Sequence, residues 1–432
     1  MLVVYCTHMS HSTLPAADQF LAEAKRHALE VLRRCIHPLG IQASASSALY
    51  KKVWARDSMI TLLGTLPFAD AKLRRAFRQS LHTLVRFQAP LGQIPNYVDT
   101  VTGKATFRAY ADGGLWFVIG AAAYGRQTKD WAFVRKIFPN LQRVLAWYAT
   151  QSPDRSGFIT MDEAADWEDI FGVRGKGLTV NVLYAHALRT AGGLAKKFSK
   201  PSLAKEWTAQ ARQLQAMIRD RFWYTPSRDV FQIIQDSFGS KGPERRRQIR
   251  GHGRKQFIQD AKFMSANSFF LPYITFLNFG EWFDSLGNLL AIITGAATSA
   301  QAQTIVTFIE KHKLAQPFAI KATWPARKPG MKDWQHYYTL NKLNLPDQYH
   351  NGGYWPYLGG LYVAALVKVG RRADAKTALL ALAKANRLGK KEAWEFNEWF
   401  HGKTKKPLGM PRQAWSAGMY LYALRAVNAN KK

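Results

Sequence analysis

The chain has 432 residues, 47% of them hydrophobic and 13% aromatic, which excludes intrinsic disorder and requires either several small domains or one large closed core. Its 61 basic against 29 acidic residues give a net charge of +32. That balance often marks nucleic-acid binders, but here it is spread along the chain with no zinc-finger or RNP pattern, so nucleic acid is not the expected partner. Two cysteines, Cys6 and Cys35, exclude a disulfide framework and point to a reduced, cytoplasmic protein. No Cys/His spacing suits zinc, and no metal or other cofactor is expected. Met1–Cys6 lacks the basic flank and length of a signal peptide, and no apolar run reaches the length of a membrane span.

In chain order, apolar residues recur at helical spacing over Gln19–Cys35, Leu73–Phe87, Gly114–Tyr124, Trp131–Tyr148, Leu178–Ala195 and Leu203–Phe222. The pattern resumes over Lys262–Phe276, Gln301–His312, Gly353–Val369, Arg372–Ala385 and Trp415–Val427. Alternating runs are few and short: Phe158–Thr160 and Asp229–Ile234 suit small hairpins in loops. The one dense basic cluster, Arg245–Arg247 with Arg250, Arg254 and Lys255, lies between helical segments and suits a solvated loop.

The helices are of two kinds. Leu73–Phe87 and Leu203–Phe222 carry a Lys/Arg face. Gly114–Tyr124 and Gly353–Val369 are apolar nearly all round and must be buried on most sides. Alternation of the two predicts an inner ring of buried helices wrapped by an outer ring: an all-α, single (α/α)6 toroid, or six-hairpin barrel, with small loop hairpins. Residues 1–40 form an N-terminal segment with the first outer helix, and 41–432 the barrel. A solenoid would also alternate, but no internal repeat is present.

Loops before the buried helices combine Trp, Tyr, Asp, Glu, Asn and Gly, a mixture unusual for solvated loops. If the inner helices run in parallel, these loops gather at one mouth as an aromatic-walled pocket. Acidic residues there suggest acetal hydrolysis. An inverting glycosidase needs one carboxylic acid to protonate the leaving oxygen and one carboxylate to activate water, about 6.5–9.5 Å apart. Asp166–Trp167–Glu168–Asp169 offers three carboxyls and a Trp; on a helix Asp166 and Asp169 would share a face. A first-turn acidic cluster favouring the helix dipole explains the same residues structurally. The second candidate is Glu398, in Trp394–Glu395–Phe396–Asn397–Glu398–Trp399–Phe400.

Three segments resemble bacterial and archaeal amylo-α-1,6-glucosidases and glucoamylase-like enzymes: Val53–Trp54–Ala55–Arg56–Asp57, Gly92–Gln93–Ile94–Pro95–Asn96, and Tyr110–Ala111–Asp112–Gly113–Gly114–Leu115–Trp116. Three in the second half resemble neutral/alkaline invertases: Phe283–Asp284–Ser285–Leu286–Gly287–Asn288–Leu289, Tyr349–His350–Asn351–Gly352–Gly353–Tyr354–Trp355–Pro356, and Gln413–Ala414–Trp415–Ser416. The resemblance implies an (α/α)6 barrel and inversion at the anomeric carbon of a glucosyl unit, with Asp169 as acid and Glu398 as base. It implies that Arg56 and Asp57 grip sugar hydroxyls, and that Asp112, Trp116, His350, Asn351, Trp355, Gln413 and Trp415 line the pocket. We assign Trp54, Asn96, Asp166 and Trp167 to it as well. The turn after the acid, Gly172–Val173–Arg174–Gly175–Lys176–Gly177, departs from the invertases, which leaves Asp166 and Glu168 as alternative acids. The expected substrate is an α-glucosidic oligosaccharide or glucan, with sucrose as the alternative. A non-catalytic carbohydrate- or nucleic-acid-binding helical protein is a further alternative.

Overall fold

A computed structural model describes residues 13–46, 48–109, 111–238 and 258–429. Twelve long helices organise it: α1 Thr13–Arg34, α2 Ala55–Thr65, α3 Ala71–Arg86, α4 Gly113–Thr128, α5 Trp131–Ala149, α6 Leu178–Lys197, α7 Pro201–Arg221, α8 Ser285–Thr294, α9 Ser299–Lys311, α10 Pro356–Lys368, α11 Arg372–Arg387 and α12 Ala414–Asn428. The even-numbered helices are buried almost all round: α4 from Gly113 to Gly125, and α10 from Pro356 to Leu366. The odd-numbered ones bury one stripe, as α3 does with Leu73, Ala76, Phe77, Ser80, Leu81 and Leu84.

Packing follows from this division. α2 packs on α4, α4 on α6, α6 on α8, α8 on α10, α10 on α12, and α12 on α2, so the series returns to its first member. Each odd-numbered helix lies against an even-numbered one: α3 on α2 and α4, α5 on α4, α7 on α6, α9 on α8, α11 on α10, and α1 on α12 and α11.

Glycines let the inner helices approach. A Cβ on Gly64 of α2 would overlap the carbonyl oxygen of Gly418 in α12, and one on Gly360 of α10 would overlap that of Met419. Helices whose side chains must all be buried can close up only where some residues have none.

First-turn contacts bring the N-terminal ends of the inner helices to one end. Arg56 at the start of α2 bonds Asp112, which precedes α4. Thr179 of α6 donates to Asp284, the N-cap of α8, at 3.0 Å. Tyr357 of α10 stacks on Trp415 of α12, centroids 4.4 Å apart. Short antiparallel strands stiffen the loops entering this end. Lys52–Trp54 pairs with Tyr97–Asp99, and Ile320–Lys321, Tyr354–Trp355, Trp399–Phe400 and Pro407–Leu408 form a four-stranded sheet in that order.

Some expectations need correction. Lys262–Phe276 is not one helix: a short helix, Ala261–Ser265, is followed by strands Phe269–Phe270 and Tyr273–Ile274. Apolar side chains buried on both faces of short strands imitate helical spacing. Asp229–Ile234 is not a hairpin. Asp229 caps a helix, Val230–Ser237, by accepting the Phe231 N–H. Phe158–Thr160 forms no strand. Helices α2 and α8 went unpredicted because the all-round burial of such short helices leaves no amphipathic stripe. The basic cluster at 245–255 lies outside the described residues. No helix among those described is long and apolar enough to cross a membrane.

Replacing Gly418 by Ala should destabilise the protein by about 1–3 kcal/mol, the usual cost of overpacking a filled core. Urea unfolding of the variant beside the parent measures this. An unchanged midpoint would show that the α2–α12 approach is looser than described.

Candidate active site

Helix α2 begins where Ala55 N–H donates to the carbonyl of Asn96 at 2.9 Å, which fixes Arg56 and Asp57 in the first turn. The Arg56 guanidinium closes on Asp112 with both arms, Nε to Oδ2 at 2.5 Å and Nη2 to Oδ1 at 3.1 Å. Adjacent helical residues point about 100° apart and cannot meet face to face, whereas Asp112 stands opposite on the neighbouring helix. Nη2 also donates to the carbonyl of Asp166 at 3.1 Å, drawing in the acidic loop. Burial opposes the Arg56 charge, but Asp112 outweighs it and the guanidinium is held more firmly protonated than usual.

The acidic loop is a series of bends and turns, not a helix, so its carboxyls diverge. Asp166 is buried and accepts the N–H of Glu168 at 2.8 Å. Burial, then the charge of Asp112, pushes it up to about 8. Glu168 is buried, and neither oxygen has a hydrogen-bond partner among the described residues. Burial and the charges of Asp284 and Asp166 push it well above the carboxylate range. Asp284, pushed up to about 6 by burial, is occupied with the N–H groups of Leu286 and Gly287 and the Thr179 hydroxyl.

Asp169 is half-buried and belongs to another neighbourhood. Its charge is felt by Glu398, Asp57, Tyr50 and Tyr349. Glu398 is buried. Its Oε1 accepts from the Tyr50 hydroxyl at 2.8 Å and its Oε2 from Met410 N–H at 3.0 Å. Burial is the largest influence and pushes Glu398 up to about 7, with Asp57 and Asp169 adding to the rise and the two donors opposing it. Asp57 is likewise pushed up to about 7, chiefly by burial.

The hairpin of Trp399–Phe400 with Pro407–Leu408 sets Glu398 in place. Gly409, at φ 67°, sits where any side chain would strike the carboxyl. Glu395, three residues earlier, does different work. It accepts the N–H groups of Lys390, Lys391 and Glu392. Burial works against its charge, yet these donors hold it below the usual range.

Around the carboxyls lies a continuous aromatic wall. Trp167 meets His350 at 4.7 Å, Trp355 at 5.4 Å and Tyr357 at 5.3 Å, and Trp355 meets Trp415 at 5.8 Å. His350 lies parallel to Trp355 at 5.2 Å; burial, then Arg56, keeps its imidazole neutral. The indole N–H groups of Trp54, Trp116, Trp167 and Trp415, Nδ1 of His350 and the whole amide of Gln413 are buried with no hydrogen-bond partner among the described residues. Buried polar groups are seldom left unpaired, so such a concentration marks a surface suited to a hydroxyl-rich ligand.

Other expected pocket residues are already engaged. Asn351 spends both amide N–H donors on the carbonyls of Arg327 and Asn344, and its oxygen accepts Arg327 N–H. The Trp355 indole donates to the Tyr349 carbonyl at 3.0 Å. Asn96 accepts Arg108 N–H at 2.5 Å. Tyr110 lies outside the described residues. Among those described, no group of three or more His, Cys, Asp or Glu is placed to hold a metal ion.

The sequence reading missed Tyr50, Tyr349 and Asn344. Tyr349 stands beside His350 at φ 45°, a conformation a tyrosine adopts only when its surroundings impose it. Buried Asn344 clips the acidic loop to the His350 loop. Its Nδ2 donates to the Ile170 carbonyl at 2.6 Å, and its Oδ1 accepts His350 N–H at 3.0 Å and Asn351 N–H at 3.3 Å. Only the fold reveals such a clip, since its ends are 174 residues apart.

Known structures share this architecture. A GH63 mannosylglycerate hydrolase from Thermus thermophilus, solved with glucose, superposes with a TM-score of 0.65 over 93% of this chain and 100% of that one, at 15% identity. A bacterial glucoamylase complexed with acarbose superposes at 0.63 over 95% of this chain and 56% of that one, at 12% identity. These likenesses are of fold. Sequence narrows this: the alkaline and neutral invertase model matches residues 96–429, and the chain belongs to that glycoside hydrolase family. "Cytosolic invertase 1" of Oryza sativa subsp. japonica is 27% identical over 452 residues, covering 92% of this chain and 76% of its own. "Probable alkaline/neutral invertase F" of Arabidopsis thaliana is 26% identical over 348 residues, covering 76% of this chain. The chain spans 66% of that relative's length, and 52% of a mitochondrial neutral/alkaline invertase 1 from rice.

Asn344→Ala should leave the Ile170 carbonyl and the His350 and Asn351 amides unpaired, costing about 1–3 kcal/mol. Chemical denaturation measures the loss. A stability equal to the parent's would show that the two loops do not depend on this clip.

Proposed function

We propose that this protein is an inverting glycoside hydrolase with an (α/α)6 barrel, that it cleaves an α-glucosidic bond, and that Asp169 is its acid and Glu398 its base. One observation carries the reading: a carboxyl pair joined electrostatically, distant in sequence, stands within an aromatic wall rich in unpaired buried donors. The same observation separates Asp169 from its alternatives. The charges that raise Glu168 are those of Asp284 and Asp166, and those that raise Asp166 are Asp112 and Asp284.

The chemistry follows from these places. Asp169 donates its proton to the glycosidic oxygen as the bond to the anomeric carbon breaks. Glu398, ionised, takes a proton from a water attacking the opposite face. Tyr50 and Met410 N–H hold the two Glu398 oxygens and orient the carboxylate toward that water. Arg56, pinned by Asp112, and Asp57 beside it grip hydroxyls of the glucosyl unit. Trp54, Trp116, Trp167, His350, Gln413 and Trp415 complete the contact, while Trp355, Asn96 and Asn351 hold the walls.

Sucrose is the favoured substrate. Its bond is α-glucosidic on the glucose side, and the family and the named relatives are invertases. The first-half motifs support a second reading, in which the leaving group is a glucosyl unit of an oligosaccharide or glucan. Both use the same acid and base. We place the protein in the cytoplasm, with residues 41–432 as one catalytic unit.

Reducing-sugar release from sucrose, isomaltose, panose and limit dextrin decides between leaving groups. On the best substrate, Asp169→Asn and Glu398→Gln should each lower kcat by about 10²–10⁴, and Glu168→Gln far less. A Glu168→Gln loss equal to that of Asp169→Asn would move the acid to Glu168.

The rate should climb as pH rises through about 7, where Glu398 loses its proton and becomes competent as base. Tyr50→Phe removes a donor that favours the charged carboxylate, so the acidic limb should move to higher pH. A pH–kcat/KM profile of both proteins tests this. An unmoved limb would separate Glu398 from the titration that controls the rate.

A further inference from the structure

At the end of the ring away from the carboxyls, a cavity of about 280 Å³ opens along the axis. Every inner helix contributes to its wall: Leu62, Ile119, Leu183, Leu290, Leu361 and Tyr422. Its charged lining residues are Arg126, near the end of α4, and Arg425, near the end of α12; no carboxylate lines it among the described residues. Arg126 is an exposed side chain that forms no ion pair with a described residue. His186 also lines the space. Arg189 Nη2 lies 2.9 Å from its Nδ1. A guanidinium only donates, so Nδ1 accepts and Nε2 carries the ring's N–H. Burial, then Arg189 and Arg126, keeps this imidazole neutral. At the inner end lies Trp116.

We propose that this cavity is a binding site for a small amphiphilic anion, its charged group at the Arg126–Arg425 rim and its hydrocarbon body among the leucines. The complementarity is twofold. Leu62, Ile119, Leu183, Leu290 and Leu361 give the walls a largely apolar surface, broken by His186, Gln127 and Thr294, and the rim sets the Arg126 cation where no carboxylate lines the cavity among the described residues. A bare inorganic anion would leave the walls unfilled, and an uncharged hydrocarbon would leave the guanidinium unused. Helix C-termini also favour cations, so the arginines could serve the helices alone; binding measurements separate the two roles.

Calorimetric titration of the full chain with sodium octanoate, 1-octanol and sodium acetate tests the site. Octanoate should bind saturably, one per chain, with octanol and acetate each at least about tenfold weaker. Arg126→Gln should weaken octanoate about tenfold, and Arg126→Lys should retain most of the affinity. The proposal is overturned if octanoate shows no saturable binding, if octanol binds as tightly, or if Arg126→Gln binds unchanged. If Arg126→Gln fails to fold, the three-ligand comparison on the parent still decides.

Discussion

The buried pair of Arg56 with Asp112 is the interaction on which the mouth of this molecule depends. It joins the starts of two inner helices, and through the Asp166 carbonyl it also holds the acidic loop. Taking two charges out of water is costly, and the bidentate geometry with a third acceptor is what offsets that cost. Loss of one partner from such a pair typically costs about 3–5 kcal/mol, since the other charge remains buried alone. The same guanidinium lies among Asp57, Asp112 and Asp169 and keeps three acids from simply repelling one another.

From that anchor, one short loop serves two purposes. Asp166, Glu168 and Asp169 are near neighbours in sequence but not in environment. The first two turn inward against Asp284 and Asp112, where burial favours their protonated forms. The charge of the third is felt by Glu398 and Tyr50. Acids set apart in this way can differ in protonation at one pH, a condition that acid–base chemistry needs. Asn344 and Tyr338 maintain the division from a distant segment: Tyr338 receives Gly172 N–H at 2.7 Å, and Asn344 binds the Ile170 carbonyl.

Much of this was legible in the sequence. All-round apolar stretches such as Gly353–Val369 announced buried helices, and their alternation with Lys/Arg-faced ones announced two rings. Aromatic and acidic loops before those helices announced where buried carboxyls and indoles gather. What was illegible depended on distance. That Arg56 binds Asp112 could not be inferred locally, because the two are 56 residues apart. Tyr50 and Asn344 have no local motif; each acts across hundreds of residues or between two loops. Asn351 had the composition of a sugar ligand, yet its amide is consumed by backbone groups that only the fold brings near.

In the proposed reaction two carboxyls act from opposite faces of one sugar ring, and stereochemistry reports on that directly. Proton NMR following the first turnovers on sucrose, or on the α-glucoside the enzyme prefers, reads the anomer before mutarotation. Release of β-glucose is the result expected of a water held by Glu398 opposite the leaving group. Release of α-glucose would mean that a carboxylate attacks the sugar itself, and would contradict the arrangement described.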